Sequence, residues 1–210
     1  MNLRSRREFL QIGGAAACAA LARAADPVLG MIFPPANYPV PPEAPLLYPN
    51  VKFLAEGVGL ERMTPEEYDR VFDRILPAAK KQAAQGARAI DVMGTSLTFY
   101  KGAAFNQRLM DTIRKETGLP ATTMSTGIVE GLHAVGGRRV AVATAYNNEV
   151  NRRLGVFLEE SGFEVVTVKG LGIERFEDSP PVTHDSLLQF SASVWESAPK
   201  ADALVVSCGA

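Results

Sequence analysis

Cysteine and histidine are scarce in this chain of 210 residues, which holds only Cys18, Cys208, His133 and His184. No spacing among these four matches a zinc or haem motif, so no metal site is expected. Charge of one sign is also missing. Lys+Arg 22 against Asp+Glu 23 leaves a net charge of -1, and without a basic surplus there is no bulk attraction to nucleic acid or an anionic membrane. Partners are expected among small molecules. No strand is followed by G-x-G-x-x-G, because Gly57-Val58-Gly59 lacks the third glycine, and there is no P-loop, so nucleotide cofactors are not supported. What the chain does have is 47% hydrophobic and 21% charged content, enough for one globular domain or two small ones.

The first residues read as an address. Ser5-Arg6-Arg7-Glu8-Phe9-Leu10-Gln11 precedes a weakly apolar run from Ile12 to Leu21 and then Ala22-Arg23-Ala24. Paired arginines, a mild apolar region and an Ala-x-Ala site have the form of a twin-arginine export signal over residues 1–24. The run falls short of the roughly 20 residues that span a bilayer. A periplasmic location and the twin-arginine export machinery as a partner are expected. If Cys18 leaves with the signal, Cys208 is an unpaired thiol in an oxidising compartment, open to oxidation unless it is used.

Downstream, apolar runs alternate with helical patterns. Val28–Phe33 reads as a first strand stopped by Pro34-Pro35, and Pro39, Pro41, Pro42, Pro45 and Pro49 as an extended, irregular connection. Thr64-Pro65-Glu66-Glu67 predicts a helix start with a capping box, running towards Gln85 with a break or kink at Pro77. Strands are expected at 87–93, 119–124, 139–144, 165–168 and in the run ending at Cys208. Helices are expected at 103–117, at 127–135 capped by Ser125-Thr126, at 149–160 and at 185–196. Strands that are short and apolar, each followed by a helix, predict an α/β fold of mostly parallel sheets covered on both faces. Two halves, 25–136 and 137–210, meet near Gly136-Gly137.

Chemistry in such sheets is done beyond the carboxyl ends of strands. Three junctions there carry polar groups: Thr95 and Ser96, Tyr146, and Ser207-Cys208-Gly209. Each also has a plain structural role open to it. Thr and Ser after a strand serve as helix caps, a loop Tyr serves as amphipathic cover, and a lone Cys is among the residue types most often simply packed.

The stretch Val92-Met93-Gly94-Thr95-Ser96-Leu97-Thr98-Phe99-Tyr100-Lys101-Gly102-Ala103-Ala104-Phe105-Asn106, with Thr122-Thr123-Met124-Ser125-Thr126, Ala143-Thr144-Ala145-Tyr146 and Ser207-Cys208-Gly209, resembles the arylmalonate decarboxylase family of the aspartate/glutamate racemase superfamily. The resemblance runs from about Val28 to the last residue and implies a racemase-like fold of two pseudo-symmetric βα halves. Superfamily members place a cysteine at a strand end in each half; here Gly94 holds the first position and only Cys208 remains. That departure speaks against two-base racemisation or maleate isomerase-like chemistry, although an isomerase of small dicarboxylic acids and a periplasmic organic-acid binder without turnover stay open as alternatives. The resemblance further implies cofactor-free loss of carbon dioxide from an α-aryl or α-alkenyl malonate, a dicarboxylic acid. Thr95, Ser96, Tyr146 and the backbone at Gly209 would hold one carboxylate, Pro34 and Pro35 would line an apolar pocket for the leaving one, and Cys208 would protonate the enediolate. An unperturbed thiol, with a pKa of about 8.5, is mostly protonated at neutral pH, as a proton donor must be. Relatives continue past the cysteine motif, so the chain is expected to be incomplete at its carboxyl end.

Overall fold

The computed structural model describes residues 27–175 and 183–207. The export-signal residues with Arg6 and Arg7, and the end of the cysteine motif with Cys208 and Gly209, lie outside the described residues. The strands are β1 (Val28–Phe33), β2 (Lys52–Gly57), β3 (Ala89–Val92), β4 (Ala121–Thr123), β5 (Arg139–Tyr146), β6 (Glu164–Ile173) and β7 (Ala203–Ser207). The helices are α1 (Glu43–Leu47), α2 (Pro65–Ala84), α3 (Thr95–Phe99), α4 (Ala103–Thr117), α5 (Met124–Ala134), α6 (Asn148–Glu160) and α7 (His184–Glu196).

Two parallel sheets result, with strand orders β2-β1-β3-β4 and β6-β5-β7. The α/β class expected from alternation is the class observed. Parallel strands need helical crossovers, and helices on both faces bury the central strands. Accordingly every residue of β5 from Val140 to Tyr146 is buried, as are Gly30 to Phe33 of β1. One large apolar cluster joins the two sheets: Ile32, Val92, Leu97 and Phe99 from the first pack in it with Val140, Tyr146, Leu154 and Val205 from the second. Polar ties reinforce the junction. Met63 N–H donates to the Glu174 carbonyl at 2.9 Å, Arg62 bridges Arg175, and the Glu160 carboxylate caps α4 by accepting from Ala103 N–H at 2.7 Å.

Several local expectations change. The proline-rich connection contains the short helix α1 and leads into β2, a strand additional to those expected; β2 is an edge strand, and Glu56 on it pairs with Lys81 at 2.7 Å. Thr64 stands at the α2 N-cap with extended backbone but makes no side-chain cap bond, and Glu67 turns to Arg70 and to Glu61 N–H rather than closing a capping box. Helix α2 runs on through Pro77 without a break. Pro77 and Asp73, whose carbonyl loses its partner, both face solvent, where water replaces the missing bond. Helix α5 begins three residues earlier than expected, because Thr123 rather than Ser125-Thr126 is the cap, its Oγ1 accepting from Thr126 N–H at 3.1 Å. Tyr146 is the last residue of β5 rather than a loop residue.

Candidate active site

β3 ends at Val92, and Gly94, in extended backbone (φ -114°, ψ 108°), turns the chain into α3. Thr98 holds that turn by donating to carbonyls three and four residues back, those of Thr95 (3.0 Å) and Gly94 (3.1 Å). Ser125, fully buried at the start of α5, donates to the Thr95 carbonyl at 3.0 Å and lies 2.6 Å from Thr98 Oγ1. Thr95 therefore begins α3 with its backbone fixed by a second helix.

The Thr95 side chain crosses to the other sheet. Its Oγ1 is 2.5 Å from the Tyr146 hydroxyl and 3.1 Å from Ser207 Oγ, so three hydroxyls, from the carboxyl ends of β3, β5 and β7, meet at one point between the sheets. All three residues are buried, with 7%, 2% and 5% exposure, so their hydroxyls work in a poorly hydrated setting where each hydrogen bond is electrostatically strong. The Tyr146 ring is wedged edge-on against Phe99 at 5.7 Å, which fixes the phenol direction. Ser96 is buried beside Thr95 on α3, whose first-turn N–H groups have no partners within the helix.

On the first sheet the strand-end residues close around the same turn. A Cβ built on Gly94 would fall 2.7 Å from Pro34 Cγ and 3.0 Å from Leu97 Cδ1, which places the half-buried Pro34 ring directly against Gly94. Pro35 follows under tight constraint: its carbonyl oxygen would be 2.0 Å from a Cβ on Gly57, so only glycine fits at the end of β2. The Pro34 carbonyl accepts from Leu60 N–H at 2.7 Å. Thr95, Tyr146, Gly94 and Pro34 are thus brought together, with Ser96 and Pro35 next to them in the chain. Cys208 and Gly209 immediately follow Ser207 in sequence and are outside the described residues.

Sequence reasoning left four residues out of the site. Ser207 entered only as part of the cysteine motif, Thr98 only within the resembling stretch and Ser125 only as a helix cap, while Asn151, whose amide meets the Thr144 hydroxyl and the Tyr146 carbonyl, was given no role. For two of them the signal is position: Ser125 and Asn151 are polar residues in the first turn of a helix that follows a parallel strand, a place where a buried hydroxyl or amide needs a partner in the neighbouring loop.

Two clefts are lined by residues other than the three hydroxyls. One of about 740 Å³ is lined by His133, Arg138, Arg139, Phe163, Glu164 and Asp202, at the amino ends of β5, β6 and β7. Asp202 there accepts from Arg138 and Arg139 N–H groups, which holds its carboxyl below the usual range. The other, about 650 Å³, lies between α5 and β7 and includes Asp91. Burial pushes the Asp91 carboxyl up to about 6, and its Oδ1 has no hydrogen-bond partner among the described residues. The first cleft is at the opposite end of the strands from where parallel sheets gather their chemistry, and the second runs along β7 from Asp202 to Val206, reaching Met93 and Thr123 at the carboxyl ends of β3 and β4.

The family model described as arylmalonate decarboxylase matches residues 29–210. An arylmalonate decarboxylase of Bordetella bronchiseptica is 44% identical over 187 residues, covering 89% of this chain and 78% of the relative. The solved structure of unliganded arylmalonate decarboxylase superposes with a TM-score of 0.77 at 44% identity, over 87% of this chain and 77% of that one. A double mutant of that enzyme in its liganded form gives 0.82, at 44% identity over 86% and 77%. The maleate cis-trans isomerase of Nocardia farcinica shares the fold, with a TM-score of 0.75 at 20% identity over 87% of this chain and 77% of that one.

Proposed function

The chain belongs to the arylmalonate decarboxylase family, and from that premise we propose that it is a carboxy-lyase acting on α-aryl or α-alkenyl malonates, with Cys208 as its single proton donor. The observation that carries the reading is the meeting of the Thr95, Tyr146 and Ser207 hydroxyls directly before Cys208 in the chain. One substrate carboxylate accepts from these hydroxyls, with the Ser96 and Gly209 backbones beside them. When the bond to the other carboxylate breaks, its electron pair moves into the retained carboxylate and makes an enediolate, and neutral carbon dioxide leaves on the Pro34–Pro35 side. The added charge strengthens every hydrogen bond to those oxygens, so fixed donors stabilise the transition state more than the bound substrate. Cys208 then gives its thiol proton to the α-carbon from one face, and the thiolate regains a proton from water.

Gly94 supports one-sided protonation. Any side chain there would press on Pro34 and Leu97, and a second acid or base is what an isomerase or racemase of dicarboxylic acids would need. The test is release of carbon dioxide from phenylmalonate, against Cys208→Ala, which keeps the fold by circular dichroism and loses turnover. Tight binding of phenylmalonate by the parent protein without release would favour an organic-acid binder instead.

The location proposed is the periplasm, supported by Arg6-Arg7 and Ala22-Arg23-Ala24. Changing Arg6 and Arg7 to Lys in a full-length reporter fusion is expected to stop export; unchanged export would reject the twin-arginine route.

A further inference from the structure

Tyr146 ends β5 at an irregularity. The pairing of β5 with β6 is Thr144 to Gly170 and then Tyr146 to Ile173, so the register slips between Thr144 and Tyr146. A slip of this kind takes backbone groups out of the ladder and re-aims the side chain that follows. Here those groups are taken up by side chains. Tyr146 N–H donates to Thr144 Oγ1 at 3.1 Å, Thr144 Oγ1 donates to Asn151 Oδ1 at 2.6 Å, and Asn151 Nδ2 donates to the Tyr146 carbonyl at 3.1 Å.

The proton inventory closes. The one hydroxyl proton of Thr144 goes to Asn151, its lone pair takes the Tyr146 N–H, and the amide of Asn151 donates to a carbonyl that can only accept. All three residues are buried, Asn151 with 7% exposure in the first turn of α6. The opposite strand makes room for this ring. A Cβ on Gly170 would lie 2.2 Å from Asn151 Nδ2, 2.2 Å from the Tyr146 carbonyl oxygen and 3.1 Å from Thr144 Oγ1. Glycine at 170 and asparagine at 151 are thus two sides of one fit, and both bear on the backbone of the residue whose hydroxyl reaches Thr95.

We propose that Asn151, with Thr144 and room made by Gly170, is the positioning unit for the Tyr146 hydroxyl, fixing where that donor stands when charge develops on the substrate. This rests on the reading that Tyr146 holds the reacting carboxylate. Misplacing a group by about 1 Å costs on the order of 100-fold in rate, so loss of the clamp acts mainly on kcat.

The experiment measures kcat and KM for phenylmalonate in Asn151→Ala, Thr144→Val, Thr144→Ser and Gly170→Ala, each alone and combined with Tyr146→Phe. Thr144→Val keeps the volume and removes only the hydroxyl, so it guards against loss of fold. Asn151→Ala, Thr144→Val and Gly170→Ala are expected to lower kcat by about 10- to 100-fold with KM changed by less than about threefold. Thr144→Ser restores the hydroxyl and most of kcat. In the Tyr146→Phe background the same changes alter kcat by less than about twofold, because the group they position is gone. Unchanged kcat in Thr144→Val, or the same loss with and without the Tyr146 hydroxyl, overturns the proposal. If the parent protein releases no carbon dioxide, the decarboxylase reading fails. The clamp is then judged by the ¹³Cζ tyrosine resonance assigned through Tyr146→Phe: displacement in Asn151→Ala and Thr144→Val supports it, and an unmoved resonance overturns it.

Discussion

Replacing Tyr146 by Phe removes one oxygen atom and separates two energies that the site keeps apart. The ring stays wedged on Phe99, at 5.7 Å and 70° between planes, so packing is preserved. Thr95 loses a partner at 2.5 Å and retains Ser207 at 3.1 Å, so no buried hydroxyl is orphaned. The lost bond to Thr95 contributes about 0.5 to 1.5 kcal/mol of stability, as one neutral hydrogen bond. The cost to catalysis is larger, because the lost donor faces an oxygen that gains charge only in the transition state. Removal of one such donor typically costs roughly 3 to 4 kcal/mol, or about 100- to 1,000-fold in kcat. Urea denaturation gives the first quantity and initial rates of carbon dioxide release at saturating phenylmalonate the second. A kcat within about tenfold of the parent, with KM alone raised, would mean that Tyr146 binds substrate and transition state equally, and the enediolate-cradle argument would fail.

Two further outcomes follow from groups outside the cradle. Asp91 has its carboxyl raised to about 6 by burial, so between about pH 4 and 6 the folded chain holds a proton that the unfolded chain has released, and stability falls as pH rises through that window. Asp91→Asn is expected to flatten this fall and to stabilise the protein above pH 6 by about 3 kcal/mol at most, roughly half that once solvent at the half-buried residue is counted; identical pH–stability curves for the two proteins would refute it. Pro77 lies exposed inside α2, and Pro77→Ala restores a backbone donor there, with an expected gain of about 1 to 3 kcal/mol in urea denaturation; a loss would show that the helix depends on the bend.

Much of the architecture could be read from the chain because the physical signals are local. Val28–Phe33 and Ala103–Thr117 form the expected elements with the expected bounds, the first closed by Pro34-Pro35 and the second by Gly118 in left-handed backbone (φ 70°). β2 escaped notice because an edge strand carries charged residues, here Lys52 and Glu56, at both ends of an apolar run of only three, Phe53-Leu54-Ala55. At α2 the cap residue Thr64 was placed correctly but the capping box did not form, because Arg70, one turn along the same helix, draws Glu67 away; at α5 Thr123 is the cap rather than Ser125, which a tertiary partner, Thr95, draws off. Thr95 and Tyr146 were legible as polar groups at strand ends. Their meeting with Ser207 was not, since hydrogen bonds spanning 51 and 112 residues leave no local trace. The Asn151 clamp was equally hidden, because it depends on a register slip that only the paired strand β6 reveals.

Those long spans also set a timetable. A nascent chain can pair β1 to β4 once residue 123 has emerged, yet the hydroxyl cluster cannot close until Ser207, 112 residues beyond Thr95, has joined the far edge of the second sheet. Contacts of such separation form late, after their loop entropy has been met by other packing. Activity should therefore be the last signal to return on refolding, trailing the recovery of helix and of tyrosine burial, so that an activity assay serves as a clock for the docking of the two sheets.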